Sequence, residues 1–245
     1  MKKGKLIVID GIDGSGKGTA VNVLADWAKG KKLRILDLKD YWKKNHTFPE
    51  PAEIKKYQVI ISNEPTFSMV GQAIREEIIR DNSRDYSAYT TAEAYSLDRE
   101  VLYQRVIIPA LKSGKIVFQE RSLSTSLVYQ PIQAEPVSLK KILNLSGNKL
   151  ALKYRPDLLI ITILKPQTAI NRLKRRTEKK DQAIFEKLKF LHKADKRFRS
   201  AWFRRIFESK GTKVVYLNTE KSAKVTGERL SDIWENFLVT SRLLI

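Results

Sequence analysis

Short apolar runs, each rich in Ile, Val and Leu, are separated along this chain by longer segments of mixed polarity. A run that is apolar at nearly every position is typical of a parallel β-strand buried on both faces. The runs that we predict to be strands are Leu6–Asp10, Leu33–Leu38, Tyr57–Ser62, Lys115–Glu120, Asp157–Leu164 and Lys213–Leu217.

Apolar residues in the intervening segments recur at helical spacing. Val21, Leu24 and Ala28 follow one another at intervals of three and four residues, and Gly30 is a helix stop signal. Further helices are predicted over Val70–Ile79, Thr91–Lys112, Pro166–Arg205 and Ser222–Leu243. Because strands alternate with helices, we predict an α/β fold with a doubly wound parallel sheet that carries helices on both faces.

A glycine-rich stretch joins the first predicted strand to the first predicted helix. In the order strand, G-x-x-x-x-G-K, helix, it predicts a loop whose backbone N–H groups surround phosphate oxygens. The residues predicted to bind ATP are Gly11, Ile12, Asp13, Gly14, Ser15, Gly16, Lys17, Gly18 and Thr19. Gly18 stands where the pattern usually has the Ser or Thr that binds magnesium. Either Thr19 supplies that hydroxyl, or acidic residues and water hold the ion.

The chain is unusually basic, with 47 Lys and Arg against 27 Asp and Glu and a formal charge of +20. The segment Lys165–Arg205 contains 15 of these basic residues and four acids, so much of the excess lies in one region. A basic surface favours polyanions. Nonspecific binding of nucleic acid, without turnover, is therefore one hypothesis for the function.

Cysteine is absent, which excludes disulfides, thiol nucleophiles and cysteine metal sites. No apolar run approaches the roughly 18 residues of a membrane helix, and the first residues do not resemble a signal peptide. We therefore expect a cytoplasmic protein with no membrane partner. The 245 residues suffice for one α/β domain over 1–245.

Four further motifs lie at or after predicted strand ends, where open α/β sheets place their ligands. They are N-E-P-T (Asn63–Thr66), S-L-D-R (Ser96–Arg99), Q-E-R-S-L-S-T-S-L-V-Y-Q (Gln119–Gln130) and R-L-K-R-R (Arg172–Arg176). With the glycine-rich stretch, their order and spacing resemble the thymidylate kinase family of P-loop nucleoside monophosphate kinases. The resemblance spans Lys5 to Leu217 and is weakest at Leu33–Tyr57 and Pro131–Tyr154.

This resemblance implies a five-stranded sheet in a single domain, with an insertion at 41–57 and a basic helical lid at about 165–185. It implies transfer of the ATP γ-phosphoryl group to a deoxynucleoside monophosphate, most closely dTMP, with Mg²⁺. It also implies a homodimer as the usual assembly. Phosphoryl transfer needs two anionic ends held in line and cations around the moving group, with little covalent help.

The resemblance also assigns roles in catalysis. Lys17 would contact the donor phosphates, Arg121 the acceptor phosphate and the transferred group, and Asp13 the acceptor sugar and phosphate. Thr19 and Glu120 would serve the magnesium ion. The candidates for a lid arginine that closes over the transferred group are Arg172, Arg175 and Arg176.

The acceptor pocket implied by the resemblance would hold a pyrimidine by stacking and one or two hydrogen bonds. Tyr95 would stack on the base, Arg99 would read its exocyclic oxygen, and Ser126 would contact a ring nitrogen. Tyr129 would lie against the sugar or base. The predicted acceptor-binding residues are Asp13, Glu64, Tyr95, Arg99, Arg121, Ser126 and Tyr129.

Departures from the family pattern leave a second enzyme class open. Ser122 replaces a tyrosine beside the sugar, and Asn63 replaces an arginine that often grips the acceptor phosphate. Glu120-Arg121-Ser122, with Glu64 before a proline, also resembles the deoxyribonucleoside kinases. In that reaction Glu64 would be the base for a nucleoside 5′-hydroxyl. A phosphate acceptor needs no base, because it is already an anion.

Overall fold

A parallel sheet of six strands forms the centre of the computed structural model, which describes residues 4–80, 82–84, 86–175 and 187–241. The strand order is β2-β3-β4-β1-β5-β6, and every neighbouring pair is parallel. The strands are β1 (Lys5–Gly11), β2 (Ile35–Asp37), β3 (Val59–Asn63), β4 (Ile116–Glu120), β5 (Leu158–Ile163) and β6 (Lys213–Asn218). The predicted doubly wound α/β architecture is confirmed.

The family resemblance implied five strands, one fewer than the structure has. All the predicted apolar runs form strands, and the additional one is β2, at the edge of the sheet. Its three residues pair with β3 in the register Ile35↔Val59 to Asp37↔Ile61. It lies within Leu33–Tyr57, where the resemblance to the family is weakest, so the family pattern did not indicate it.

Helices flank the sheet along the described part of the chain. They are α1 (Lys17–Gly30), α2 (Leu38–Asn45), α3 (Pro51–Ile54), α4 (Val70–Ala73), α5 (Ala88–Leu102), α6 (Ile108–Lys112), α7 (Leu123–Tyr129), α8 (Leu139–Asn144), α9 (Ser146–Lys153), α10 (Pro166–Lys174), α11 (Leu188–Phe198), α12 (Ala201–Glu208) and α13 (Ala223–Ser241). Two π-helical segments, Ile74–Ile78 and Tyr103–Ile107, continue α4 and join α5 to α6. None of the described helices has the length and apolar character required to cross a membrane.

Two predicted regions differ in detail from the structure. The predicted helix over Pro166–Arg205 is divided into α10, α11 and α12, and residues 176–186 lie outside the described residues. The predicted insertion at 41–57 contains most of α2 and all of α3. Trp42 of α2 is fully buried and packs edge-on against Phe48, with 5.5 Å between ring centroids. This segment therefore contributes to the core.

The core has two layers because β1 alternates its side chains between the faces of the sheet. Leu6 and Val8 belong to the cluster shared with α5, α6 and α7, whereas Ile7 and Ile9 belong to the cluster shared with α1 and α13. All four are fully buried. Both faces of the strand are covered, as the unbroken apolar run predicted.

Strand register brings the candidate functional segments to one edge of the sheet. Ile9 and Asn63 both pair with Glu120, so β3 and β4 end at one level and β1 continues for two residues beyond it. The glycine loop, the Glu-Pro segment and the Glu-Arg-Ser segment follow these three strands directly. Their side chains therefore face a common space above the sheet.

Candidate active site

A cavity of about 820 Å³ opens at the carboxyl ends of the central strands. Its walls come from the glycine loop, the segments after β3 and β4, and helices α5 and α7. The predicted site residues that line it are Asp13, Gly14, Gly16, Lys17, Gly18, Glu64, Tyr95, Arg99, Glu120, Arg121, Ser126 and Tyr129. Segments remote in sequence thus meet where parallel-sheet topology places ligands.

The glycine loop turns at two residues whose backbone is left-handed. Gly14 has φ of 77° and Gly16 has φ of 84°, which are values that side chains disfavour. A Cβ atom on Gly14 would lie 2.5 Å from the carbonyl oxygen of Ala169, so glycine also lets α10 approach the loop. Helix α1 begins directly afterwards, and its N-terminus carries the partial positive charge that favours phosphate.

Beneath this turn lies the floor of the loop. Gly11, Ile12 and Ser15 are buried and do not line the cavity. The Ser15 hydroxyl is hydrogen-bonded to that of Thr162 on β5, at 2.6 Å. These residues shape the loop and leave the cavity surface to Asp13, Gly14, Gly16, Lys17 and Gly18.

Lys17 is only 4% exposed. Its Nζ donates to the carbonyl oxygens of Gly11, at 3.1 Å, and Ile12, at 2.9 Å, and lies 3.9 Å from a carboxylate oxygen of Asp13. Burial, followed by the nearby charge of Arg121, lowers the pKa of Lys17 to about 8. An arriving polyanion would restore the charged form, because opposite charge favours it.

The backbone of Arg121 is fixed in a left-handed conformation with φ of 63°. Its N–H donates to the carbonyl oxygen of Ile9 at 2.9 Å, and its own carbonyl accepts from Gln119 Nε2 at 2.9 Å. Left-handed backbone is uncommon for residues with a side chain and is concentrated at functional sites. The turn directs the guanidinium towards the glycine loop, where it donates to Asp13.

Asp13 links this arginine to the aromatic wall of the cavity. Its carboxylate accepts from the Arg121 guanidinium and, at 3.0 Å, from the hydroxyl of Tyr129. Burial acts to raise the pKa of Asp13, but Arg121 and Lys17 outweigh it and bring the pKa to about 2. Burial likewise acts to lower the pKa of Arg121, which Asp13 nevertheless holds well above its ordinary value. Asp13 and Arg121 are thus both charged at neutral pH.

A second charged pair lies deeper, between Arg99 of α5 and Glu64 after β3. Their side chains are 1% and 3% exposed. Arg99 Nε donates to Glu64 Oε2 at 2.9 Å, and Arg99 Nη2 lies 2.6 Å from the same oxygen as an ion pair. Gln119 Nε2 donates to Glu64 Oε1 at 3.0 Å, and Arg99 Nη2 also donates to Ser126 Oγ at 3.2 Å. Burial raises the pKa of Glu64 to about 7, although Arg99 opposes the shift.

Glu120 offers the carboxylate that magnesium would need. It lines the cavity, and a Cβ atom on Gly18 would lie 3.5 Å from its Oε2. Thr19 is exposed on α1 and does not line the cavity. No group of three or more His, Cys, Asp and Glu side chains that could hold a metal occurs among the described residues. One carboxylate with substrate phosphates and water is nevertheless a common arrangement for Mg²⁺, so Glu120 fits the ion.

The three predicted lid arginines have different positions. Arg172, on α10, lies outside the cavity lining and donates to the carbonyl oxygen of Thr219 at 2.7 Å. Arg175 is exposed at the end of α10. Arg176 lies outside the described residues. A role of any of them over the transferred group stays a prediction.

Comparison with known proteins decides the family. A family model described as Thymidylate kinase matches residues 50–230. The chain belongs to the thymidylate kinase family. The match begins beyond the glycine loop, so the assignment of that loop rests on its sequence and geometry.

Similar proteins include members of the thymidylate kinase family from archaea and bacteria. A "Probable thymidylate kinase" of Pyrococcus horikoshii is 32% identical over 71% of this chain and 72% of its own length. A "Thymidylate kinase" of Caldicellulosiruptor saccharolyticus is 34% identical over 70% of each. One of Brachyspira hyodysenteriae is 28% identical over 91% of this chain and 96% of its own. Family membership makes the protein a phosphotransferase of the nucleoside monophosphate kinase class.

Several residues that line the cavity of this thymidylate kinase family member were not predicted from the sequence. Lys39, Phe67, Arg75 and Arg80 line the cavity. The guanidinium of Arg75 lies 3.8 Å above the Phe67 ring and its Nε donates at 3.0 Å to the carbonyl of Thr66. A sequence signal existed for Lys39, which follows a strand end, and for Phe67, which follows N-E-P-T. Arg75 and Arg80 carried none.

Proposed function

We propose that this protein transfers the γ-phosphoryl group of ATP to dTMP, giving ADP and dTDP, with Mg²⁺. The observation that carries the proposal is a single cavity that joins the glycine loop to a buried pocket containing Tyr95 and Arg99. Arg121 contacts Asp13 of the loop within that cavity. A phosphate donor and a nucleotide acceptor can therefore share one cavity, as in-line transfer requires.

The donor end would bind the triphosphate through the backbone N–H groups of the loop, the N-terminus of α1 and the ammonium group of Lys17. Lys17 would exchange its hydrogen bonds to the loop carbonyls for phosphate oxygens. Glu120 would hold the magnesium ion. When bound, that ion would neutralise charge on the triphosphate oxygens.

The acceptor end would place the base against Tyr95 and within reach of Arg99. The Tyr95 hydroxyl has its pKa raised to about 12 by burial, so the ring stays neutral at any ordinary pH and can stack on a base. Arg121 would hold the acceptor phosphate near the donor. An oxygen of that phosphate forms the new bond to Pγ while the bond from Pγ to the bridging oxygen of ADP breaks, and no proton has to move.

The arrangement of Glu64 favours a phosphate acceptor over a nucleoside. Its Oε2 accepts from Arg99 and its Oε1 accepts from Gln119. A general base must hydrogen-bond to the hydroxyl that it deprotonates. Each oxygen of this carboxylate already accepts from a protein donor, so a nucleoside 5′-hydroxyl would have to compete with Arg99 and Gln119 for it.

The test is ADP release from ATP and Mg²⁺ in the presence of dTMP, dUMP, dCMP, dGMP, UMP, thymidine or deoxycytidine. We expect turnover with dTMP and none with thymidine, and Lys17→Ala should abolish turnover while retention on DNA at low salt persists. Turnover with a nucleoside and not with dTMP would move the function to the alternative class. Turnover that survives Lys17→Ala would contradict the kinase assignment itself.

A further inference from the structure

The N-terminus of α9 is docked on α5 by three consecutive residues. Ser146 donates a hydrogen bond to Glu100, and the N–H of Gly147 donates to the Ser96 hydroxyl at 3.0 Å. A Cβ atom on Gly147 would overlap the Ser96 carbonyl, so glycine allows the two helices to touch. The third residue, Asn148, reaches Arg99. This segment lies where the family resemblance is weakest, yet it abuts the base-reading arginine of the proposed function.

Asn148 can contact Arg99 in only one orientation. It is 1% exposed, its Nδ2 donates to the carbonyl oxygen of Ile142 at 2.6 Å, and its Oδ1 accepts from Arg99 Nη1. A flipped amide would set its NH₂ group against the guanidinium and its oxygen against a carbonyl, which is repulsive on both sides. The backbone of Ile142 thus fixes the acceptor that Arg99 meets.

The contact with Asn148 leaves Arg99 few N–H groups for a ligand. A guanidinium has five N–H groups. Nε donates to Glu64, Nη2 donates to Ser126 and is also ion-paired with Glu64, and Nη1 donates once, to Asn148. One N–H on Nη1 has no partner among the described residues, and Arg99 lines the cavity. A single fixed donor matches a base carbonyl and mismatches an exocyclic amino group, which is itself a donor.

We propose that Asn148 is a positioning residue for base selectivity, holding Arg99 so that its last N–H faces the exocyclic oxygen of the acceptor base. The inference rests on the proposed function. Without Asn148, the Nη1 end would gain a second free donor and rotational freedom, while Glu64 would still hold the other end. The selectivity for keto over amino bases should then fall, because discrimination depends on leaving a fixed buried donor unpaired with the wrong base.

The experiment compares Asn148→Ala with Ser146→Ala. Ser146 belongs to the same docked segment and contacts the same helix, but it does not touch Arg99. Dissociation constants for dTMP and dCMP are measured by calorimetry for wild type and both variants, with KM for each substrate and kcat. For Asn148→Ala we expect the dTMP preference to fall by about tenfold or more, the size of one buried hydrogen bond. KM for dTMP should rise, whereas KM for ATP should not. Ser146→Ala should keep the wild-type preference.

Each outcome decides between the two claims. Wild-type selection of dTMP, with the same preference within about twofold in Asn148→Ala, would overturn the positioning role and leave the proposed function intact. Equal losses in Asn148→Ala and Ser146→Ala would reduce the segment to a packing element and also overturn it. A wild-type protein that binds none of the nucleotides, or prefers dCMP, would overturn the proposed function and this inference together. Thermal unfolding of each variant checks that the fold is retained.

Discussion

Replacing Arg99 by methionine would remove the positive partner of Glu64 from a place that water barely reaches. The two side chains are 1% and 3% exposed, and their closest atoms are 2.6 Å apart. Breaking one side of such a buried pair typically costs about 3–5 kcal/mol of unfolding free energy, because a charge is left without compensation. Methionine keeps the length of the apolar stem, so packing is little changed.

Glu64 can escape part of this cost by taking up a proton. Burial already raises its pKa to about 7, and loss of Arg99 would raise it further. Near neutral pH that protonation requires little free energy, so we expect a destabilisation at the lower end, about 3 kcal/mol. Because the folded pKa lies above the unfolded one, the Glu64 contribution to stability is fully present below about pH 4.5 and is lost as pH rises through about 7.

The assay is urea unfolding of wild type, Arg99→Met, Glu64→Gln and the double variant, at about pH 8.5 and about pH 5.5. The double-mutant cycle should give a coupling free energy of about 2 kcal/mol at the higher pH and less at the lower one, where Glu64 is protonated in the native state. The exposed pair Arg84 and Glu77 is the matched control, and Arg84→Met should leave the unfolding midpoint unchanged. A coupling near zero at about pH 8.5, or one that grows on acidification, would refute the reasoning.

Three further predictions concern the glycine loop and its surroundings. Arg121→Ala should lower turnover of ATP with dTMP by at least about 100-fold while unfolding stays cooperative, because the lost interaction is charge stabilisation during transfer; near-normal rates in the folded variant would contradict this. The affinity for a non-hydrolysable ATP analogue should weaken as pH rises above 8, because the pKa of Lys17 is lowered to about 8 and the lysine of the free protein loses its charge. A constant affinity up to about pH 9.5, measured by calorimetry, would contradict this. Gly14→Ala should lower the melting temperature more than Gly16→Ala, because both residues have left-handed φ but only Gly14 faces the Ala169 carbonyl; equal shifts would show that this close approach is unimportant.

Local patterns were sufficient to predict the strands and the glycine turn between β1 and α1. An apolar run long enough to cross the sheet has to be buried on both faces, and the glycines permit the left-handed turn wherever the loop is placed. The strand at Leu6–Asp10 and the turn at Gly14 and Gly16 could therefore be predicted from the sequence. Parallel topology then predicted that the segments after several strands would share one edge of the sheet.

Contacts between residues that are distant in sequence could be identified only in the folded structure. Arg99 and Glu64 are 35 positions apart, and Arg99 and Asn148 are 49 apart. Neither pairing has a periodic signature, because each depends on the angle at which two elements cross. The edge strand Ile35–Asp37 was predicted from its apolar run, whereas its pairing with β3 was visible only in the fold.

The sequence by itself determined the class of this protein: a parallel α/β sheet, a glycine turn between β1 and α1, and the motifs of the thymidylate kinase family. Those features follow from local conformational preference and burial, which are properties of short segments. Only the tertiary structure decided that Glu64 is bound to Arg99 and Gln119, that Thr19 faces solvent, and that Asn148 accepts a hydrogen bond from Arg99. Such facts depend on long-range packing, where a rotation of one helix exchanges every side-chain partner.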